Sequence, residues 1–297
     1  MGKLIQTKNK NPYKDILRSK FVVPPFSVLD TRQGYWQERR RMWLRHTQDL
    51  TQTRDDDYGK TFHIKKEGLE KQTSTFDPVL AEIMYRWFCV PHGKILDPFG
   101  GEQTKGLVAG VLGYRYTGIE IRQEQVDVNN GVTSGFEDVT YACGDAHDLD
   151  KCVTGKYDMC FTSPPYFDLE VYSNKKNDLS ANSYRYFMNG METVFEKCYK
   201  YLTDDTFLVL KIGEIRDKKT GEYRGFVPDM INAMVRIGFK YYNEIILINS
   251  VGSAGMRAAG NMKSRKVVKL HQNILVFYKG NMKHITNKYK ELGGGQN

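Results

Sequence analysis

The sequence predicts an α/β fold: a mostly parallel sheet with helices on both faces and an antiparallel strand at its C-terminal edge. Three observations predict it. From residue 76 onward, short apolar runs alternate with amphipathic helical patterns at the spacing of β-α units. The runs end in Gly, Pro or acidic residues, which is how strands finish at one sheet edge. The last two runs are joined by a stretch with no obvious helix, which suits an antiparallel pair.

The elements follow in order. "DPVLAEIMYRWFC" is a helix with Asp77 as N-cap and Pro78 at its first position. "KILDPF" is a strand ending in a turn. "TKGLVAGVLG" is a helix, "RYTGIEI" a strand and "RQEQVDVNNGV" a helix. "VTYACGD" and "YDMCFTS" are strands, and "SYRYFMNGMETVFEKCYKYL" is a long helix. "TFLVLKIG" is a strand and "FVPDMINAMVRIG" a helix; "FKYYNEIILIN" and "HQNILVFYK" are the closing strands. Upstream, residues 1–20 read as a loose polar arm. Residues 21–50 hold a Pro-Pro bend and a helix from about Tyr35, and 51–75 read as a charged loop. The division expected is a basic N-terminal flank over 1–75, a catalytic domain over 76–280 and a tail over 281–297.

The chain has 297 residues, and no run approaches the ~18 apolar residues of a membrane span. The first residues carry no signal-peptide core, and a cytoplasmic protein is expected. The five cysteines form no C-x-x-C pair and read as reduced thiols, and the histidines show no ligand spacing, so no metal is expected. Charge is uneven. Residues 1–75 carry 16 Lys and Arg against 9 Asp and Glu, residues 76–210 carry 12 against 20, and residues 211–297 carry 16 against 6. An acidic centre between basic flanks suits a polyanionic partner gripped on either side.

The chemistry gathers at strand ends. "KIL" is followed by "DPFGGEQTKG", a Gly-rich turn that lets backbone N–H groups approach a ligand before a helix begins. Glu120 ends the next strand, about 20 residues on, where a carboxylate suits a ribose diol. Asp145 follows "YACG". "CFTS" runs into "PPYF", two prolines and two rings where a solvated turn is expected. Four such features in register along one sheet edge mark a ligand site.

In that order, "DPFGG", "GIEI", "CGDA" and "TSPPYFD" resemble the motifs of the S-adenosylmethionine-dependent DNA amino-methyltransferases, from about Thr75 to Lys279. "VPPFSVLDTRQGYWQERRRMW" resembles the N-terminal flank of a phage and prophage branch of that family. The resemblance implies a Rossmann-like methyltransferase fold, S-adenosylmethionine as cofactor and DNA as partner. It implies a cofactor pocket of Phe76, Asp77, Asp97, Phe99, Gly100, Gly101, Thr104, Glu120, Asp145 and Thr162. Asp97 would face the methionine part of the cofactor, Glu120 the ribose hydroxyls and Asp145 the adenine amine. Ser163 Oγ and the Pro164 carbonyl would accept the N–H groups of the target amine, freeing its lone pair. Pro164 and Pro165 would hold the turn rigid and Tyr166 would stack on the flipped base. The family loop reads Asp-Pro-Phe-x-Gly-x-Gly-Thr; here Gln103 replaces the second Gly, and its Cβ requires a negative φ or strain.

Ser at position 163 favours cytosine N4 as the target, with adenine N6 next. An RNA amine and a catalytically silent nucleic-acid binder are the alternatives, and Gln103 leaves open a donor of a larger group. Phosphate contacts are expected from Arg39, Arg40 and Arg41, and from Arg257, Lys263, Arg265, Lys266 and Lys269 in the stretch between the last two strands. Trp36 and Trp43, seven apart, share a helix face and read as a core stripe. Only about 60 residues separate the Gly-rich loop from "TSPPY", so target reading falls to the flanks or to a partner, or is lax.

Overall fold

Among the described residues, eight strands form one sheet in the order β1-β7-β8-β6-β5-β2-β3-β4. They are β1 (Val28–Asp30), β2 (Lys94–Asp97), β3 (Arg115–Glu120), β4 (Val139–Cys143), β5 (Tyr157–Thr162), β6 (Leu202–Ile212), β7 (Lys240–Ile248) and β8 (His271–Lys279). The structure is a computed structural model and describes residues 12–52, 76–167, 184–217, 219–249 and 254–290. Counted from β2, the order is the doubly wound 3-2-1-4-5, followed by an antiparallel strand inserted before the sixth. β8 runs antiparallel to both β6 and β7, and the other pairings are parallel. This is a Rossmann-like methyltransferase sheet. The strand order reverses between β2 and β5, and in such sheets ligands bind at that switch, beyond the strand C-termini.

The central strands are covered on both faces, so they are buried along their length and do not alternate. Phe207, Leu208, Val209 and Leu210 of β6 are all buried, as are Met159, Cys160, Phe161 and Thr162 of β5. Five helices form where the sequence pattern places them: α3 (Pro78–Phe88), α4 (Thr104–Val111), α5 (Gln123–Thr133), α7 (Tyr184–Tyr201) and α8 (Phe226–Ile237). A single turn of helix, α6 (Leu149–Cys152), lies between β4 and β5. No described helix is long and apolar enough to cross a membrane.

The N-terminal flank departs most from expectation. Residues 12–21 form α1 (Pro12–Phe21) where the composition suggests a loose arm, and the Trp87 indole holds its end by donating to the Phe21 carbonyl at 3.0 Å. After the Pro24-Pro25 bend, β1 adds to the sheet beside β7, pairing Val28 with Ile246 and Asp30 with Ile248. Three residues are too few for a readable pattern, and their partner lies more than two hundred residues away. The helix expected from about Tyr35 is α2 (Gly34–Gln52). The rest of the 51–75 loop reading lies outside the described residues. A second difference lies between β7 and β8. There α9 (Ala254–Met262) forms without a helical signature in the sequence, because two glycines depress helix propensity and no residue of it is buried to give an apolar stripe.

α2 is bolted to α3. Trp36 and Trp43 are both buried, and each indole N–H finds a carboxylate on α3 or at its cap. Trp36 Nε1 donates to Asp77 Oδ2 at 3.0 Å, and Trp43 Nε1 donates to Glu82 Oε2 at 2.7 Å. Glu82 is fully buried in an otherwise apolar helix face. Arg39 grips both of its oxygens, and Arg86 Nε, one turn on, donates at 2.9 Å. Arg39, expected on phosphate, is therefore committed to Glu82, because a buried carboxylate needs a counter-charge. Arg40 and Arg41 are both exposed. Burial pushes the Glu82 carboxyl up, but Arg39, Trp43 and Arg86 together outweigh it and hold it below its usual range.

Removing one partner of a buried pair costs about 3–5 kcal/mol. Glu82→Ala is expected to destabilise the protein by about 3 kcal/mol, measured by denaturant unfolding. Because the folded carboxyl is depressed, its contribution is complete above the unfolded value near 4.5 and disappears as pH falls through the folded one. The difference in stability between wild type and Glu82→Gln should therefore shrink on acidification below about pH 4.5; a difference that stays constant to about pH 3 would contradict the assignment.

Candidate active site

The site is assembled on Asp97, the last residue of β2, which is wholly buried. Thr162 Oγ1, from the end of β5, donates to Asp97 Oδ1 at 2.6 Å. Tyr116 Oη, from β3, donates to Oδ2 at 2.7 Å. Burial, with the Asp97 carboxylate beside it, holds the Tyr116 phenol protonated well above its ordinary range, so it stays a donor. The Phe99 N–H adds a third bond at 3.2 Å. Lys105, buried in the first turn of α4, supplies the counter-charge and also donates to the Phe99 carbonyl at 3.2 Å. Asp97 thus joins the Gly-rich loop to the strand that leads into Ser163. Its charge is met from within the protein, which gives it an organising role in the fold.

The loop after β2 turns through Gly101, whose φ of 60° favours glycine. The Gly100 N–H donates to the Ile119 carbonyl at 2.6 Å, and a Cβ there would lie 3.1 Å from that same oxygen, so the loop backbone lies flat on β3. Gln103 sits at φ −67° and ψ −15°, as the residue that starts α4. The departure from the family loop is therefore free of strain. Glu102 ties the loop down from the other side. Its side chain accepts from the N–H of Phe76 at 2.9 Å and from the N–H and hydroxyl of Thr104 at 3.0 and 2.7 Å. Burial pushes its carboxyl up against those three bonds.

Glu120 ends β3 and is nearly buried. Its Oε1 accepts from Arg122 N and Nε at 3.1 and 2.9 Å, and Oε2 has no partner among the described residues. A nearly buried acceptor with a free oxygen, beside a glycine loop lying on the strand end, fits a ribose diol. Asp145 caps the turn after β4, with His147 N donating to it and His147 Nδ1 in contact with the same oxygen, at 2.9 Å each. Phe76 lies edge-on to Phe161 at 5.6 Å, with the ammonium groups of Lys105 and Lys211 at 5.4 and 4.7 Å from its ring centre. Asp77 accepts from the Val79 N–H at 2.9 Å through Oδ1 and from the Trp36 indole through Oδ2, which makes it a cap and an anchor. Thr104 is buried against Glu102, and Phe99 packs near Phe195 with centroids 6.3 Å apart.

Ser163 Oγ donates to the Lys211 carbonyl at 3.1 Å. Its only proton is thereby used, and its lone pairs are left to accept. The Pro164 carbonyl accepts no hydrogen bond from the described residues. The two rings divide in role. Phe167 is buried among Tyr184 and Phe187, with the Arg224 guanidinium 4.8 Å from its centre. Tyr166 is only half-buried, edge-on to Phe226 at 6.2 Å, and its hydroxyl accepts from Gln272 Nε2 at 2.9 Å.

The β7–β8 connection reaches the same edge. Lys263 and Arg265 are exposed and Arg257 stands on the wholly unburied α9, while Lys266 lies against Gly221 of a neighbouring turn and Lys269 is half-buried near Gly213. Burial draws the Lys269 ammonium below its usual range, with Glu214 opposing. Sequence reasoning missed Lys105, Glu102 and Gln272. A lone cation inside "TKGLVAGV" was the one available signal for Lys105. Nothing local signalled Gln272, whose partner lies 106 residues away.

Residues 157–294 match the N6/N4 methyltransferase family model, described as DNA methylase. No curated protein matches the chain. Among solved structures, TrmN from Thermus thermophilus is 14% identical at a TM-score of 0.46, covering 69% of this chain and 50% of its own. The chain thus spans half the length of TrmN. A methyltransferase from Pyrococcus furiosus is 16% identical at a TM-score of 0.46, covering 80% of this chain and 99% of its own. A TehB-like SAM-dependent methyltransferase from Corynebacterium glutamicum is 16% identical at 0.41, covering 82% and 99%. These structural likenesses are too slight to carry an argument, and the fold rests on the strand order. The family match begins with β5 and takes in the Ser163–Tyr166 motif, so the C-terminal part of the chain is similar to the N6/N4 DNA methylases, a family of S-adenosylmethionine-dependent methyltransferases.

Proposed function

We propose that the chain methylates an exocyclic amine of a DNA base flipped from its stack, cytosine N4 first and adenine N6 second. The arrangement around Ser163 carries the reading. A hydroxyl whose proton is already donated stands next in sequence to a carbonyl that accepts from no described residue, at the end of a strand tied through Thr162 and Asp97 to the Gly-rich loop. An exocyclic amine is a poor nucleophile because its lone pair is delocalised into the ring. Ser163 Oγ and the Pro164 carbonyl would accept its two N–H groups and draw the nitrogen toward tetrahedral geometry. The prolines hold those acceptors in place, so little freedom is lost on reaching the reactive geometry. Tyr166, half-buried and packed near Phe226, would stack on the base.

S-adenosylmethionine, when bound, supplies an electrophilic methyl group on a sulfonium. Glu120 would hold its ribose hydroxyls through the free Oε2, and the Gly100–Gly101 backbone would lie along it. Asp97 would act on it indirectly, by fixing the loop. The family match supports DNA over RNA. The DNA backbone would meet the exposed cations of the β7–β8 connection and Arg40 and Arg41 of α2. Neutral Ser163 favours cytosine N4, because a charged acceptor at that position would strengthen a hydrogen bond that serves adenine N6 in related motifs.

Glu120→Ala is expected to weaken S-adenosylmethionine binding by about tenfold, on the order of 1.4 kcal/mol, with the melting temperature little changed. Asp97→Ala should instead lower stability by about 3 kcal/mol, because it strands the Lys105 ammonium in the interior. Calorimetry and denaturant unfolding separate the two; an Asp97→Ala protein as stable as wild type would remove the organising role. Ser163→Ala should lower turnover by about a hundredfold or more while cofactor affinity holds, since it deletes an interaction made at the reacting nitrogen. Incubation of unmodified DNA or RNA with methyl-labelled cofactor, then nucleoside mass spectrometry, decides polymer and base together. N6-methyladenine alone would overturn the cytosine choice, and full activity in Ser163→Ala would overturn the mechanism.

DNA affinity should fall steeply with salt. Neutralising Arg257, Lys263 and Arg265 together should reduce the log-affinity against log-salt slope by about 2–3, at ~0.9 per phosphate contact. A slope equal to that of wild type would mean that the connection does not touch the backbone.

A further inference from the structure

Tyr166 is held from behind by residues that no motif contains. Gln272, the second residue of β8, donates from Nε2 to the Tyr166 hydroxyl at 2.9 Å. Gln272 is itself held, because Asn249 Nδ2 donates to its Oε1 at 3.1 Å. The Asn249 N–H in turn donates to the Leu270 carbonyl at 2.8 Å, so the relay is anchored at the two ends of the β7–β8 connection. Gly213 makes room for it. A Cβ at that position would lie 3.3 Å from the Tyr166 hydroxyl and 3.7 Å from Gln272 Cγ, so both groups lie against bare backbone. The ring is thus fixed at its tip by Gln272 and packed against Phe226 in a T-shaped contact, at 62° between planes.

A stacking ring joined to the chain through two rotatable bonds loses freedom when a base settles on it. Fixing the ring beforehand removes that cost from binding. We propose that Gln272 is a positioning residue for the target base: it sets the plane of Tyr166 through the tyrosine hydroxyl, and Asn249 sets Gln272. The proposal rests on the amino-methyltransferase reading above and adds a residue outside the methylation motif to it. It also gives the β7–β8 connection a second role, because the strand ends that carry its cations are the ends that hold Tyr166.

A double-mutant cycle tests it. Gln272→Ala and Tyr166→Phe are each expected to raise KM for amplified, unmodified DNA by about tenfold, the upper worth of one hydrogen bond, while the calorimetric affinity for S-adenosylmethionine and the melting temperature hold. The double variant should be no worse than either single one, because both remove the same bond. Gln272→Glu, which can accept from the tyrosine hydroxyl, should recover most of the loss. Additive losses in the double variant, or a Gln272→Ala defect that follows cofactor affinity or melting temperature, would overturn the proposal. The same cycle, read by the fluorescence of an oligodeoxynucleotide carrying 2-aminopurine, needs no turnover. A wild-type protein that methylates neither DNA nor RNA would sink the amino-methyltransferase reading, while coupling in the fluorescence cycle would still decide for or against Gln272.

Discussion

One buried carboxylate sets the geometry of this protein's working edge. Asp97 ends β2 at the point where the sheet reverses its strand order, and it is reached by a threonine from β5, a tyrosine from β3 and a lysine from α4. A charge so buried is costly unless its oxygens are hydrogen-bonded and its charge is cancelled. Here both conditions are met by side chains from three separate elements. The arrangement leaves little freedom in the relative positions of the Gly-rich loop, the proposed cofactor site, and the Ser-Pro-Pro-Tyr turn, the proposed amine site. Transfer of a methyl group in line requires those two to be placed against each other, and the Asp97–Thr162 bond links them directly.

A second buried carboxylate, Glu82, performs the corresponding task for the N-terminal flank. With Arg39, Arg86 and Trp43 it joins α2 to α3, and α3 follows directly on Phe76 and Asp77, which border the cofactor loop. The flank therefore shares its core with the catalytic sheet, and β1 shares its edge with β7. Arg40 and Arg41 still offer positive charge to a polyanion, but Arg39 has been drawn inside. Charge counts overstate the nucleic-acid surface whenever an arginine is needed to neutralise a buried acid.

The strand-end chemistry is divided between groups already satisfied and groups left open. Asp77, Asp97, Glu102 and Thr104 are engaged with the protein itself. Among the described residues, Glu120 Oε2, the Pro164 carbonyl and the lone pairs of Ser163 are open acceptors. This division separates scaffold from site more sharply than the motifs do, since both kinds lie within the same short strings of sequence. Gln272 belongs to neither group of motifs, and its importance follows only from what it touches.

The alternation of strands and helices from residue 76, and the positions of Asp97, Glu120 and the Ser163–Tyr166 turn at the C-terminal strand ends, were legible in the sequence. These are local properties: an apolar period, a proline that cannot extend a ladder, a glycine that opens a turn. The short strand β1, the helix α9 and the inward turn of Arg39 were not legible, because a three-residue edge strand, a glycine-broken helix and a buried arginine leave no periodic trace. The roles within the site were likewise divided by tertiary contacts. Whether a carboxylate is free for a ligand depends on the lysines, tyrosines and indoles brought to it from distant segments: Asp97 met Lys105 and Tyr116, Asp77 met Trp36, and Glu120 kept one oxygen open. Hydrogen-bond partners separated by tens of residues are set only when the sheet closes, and that is the physical reason one acid became scaffold while its neighbour remained available.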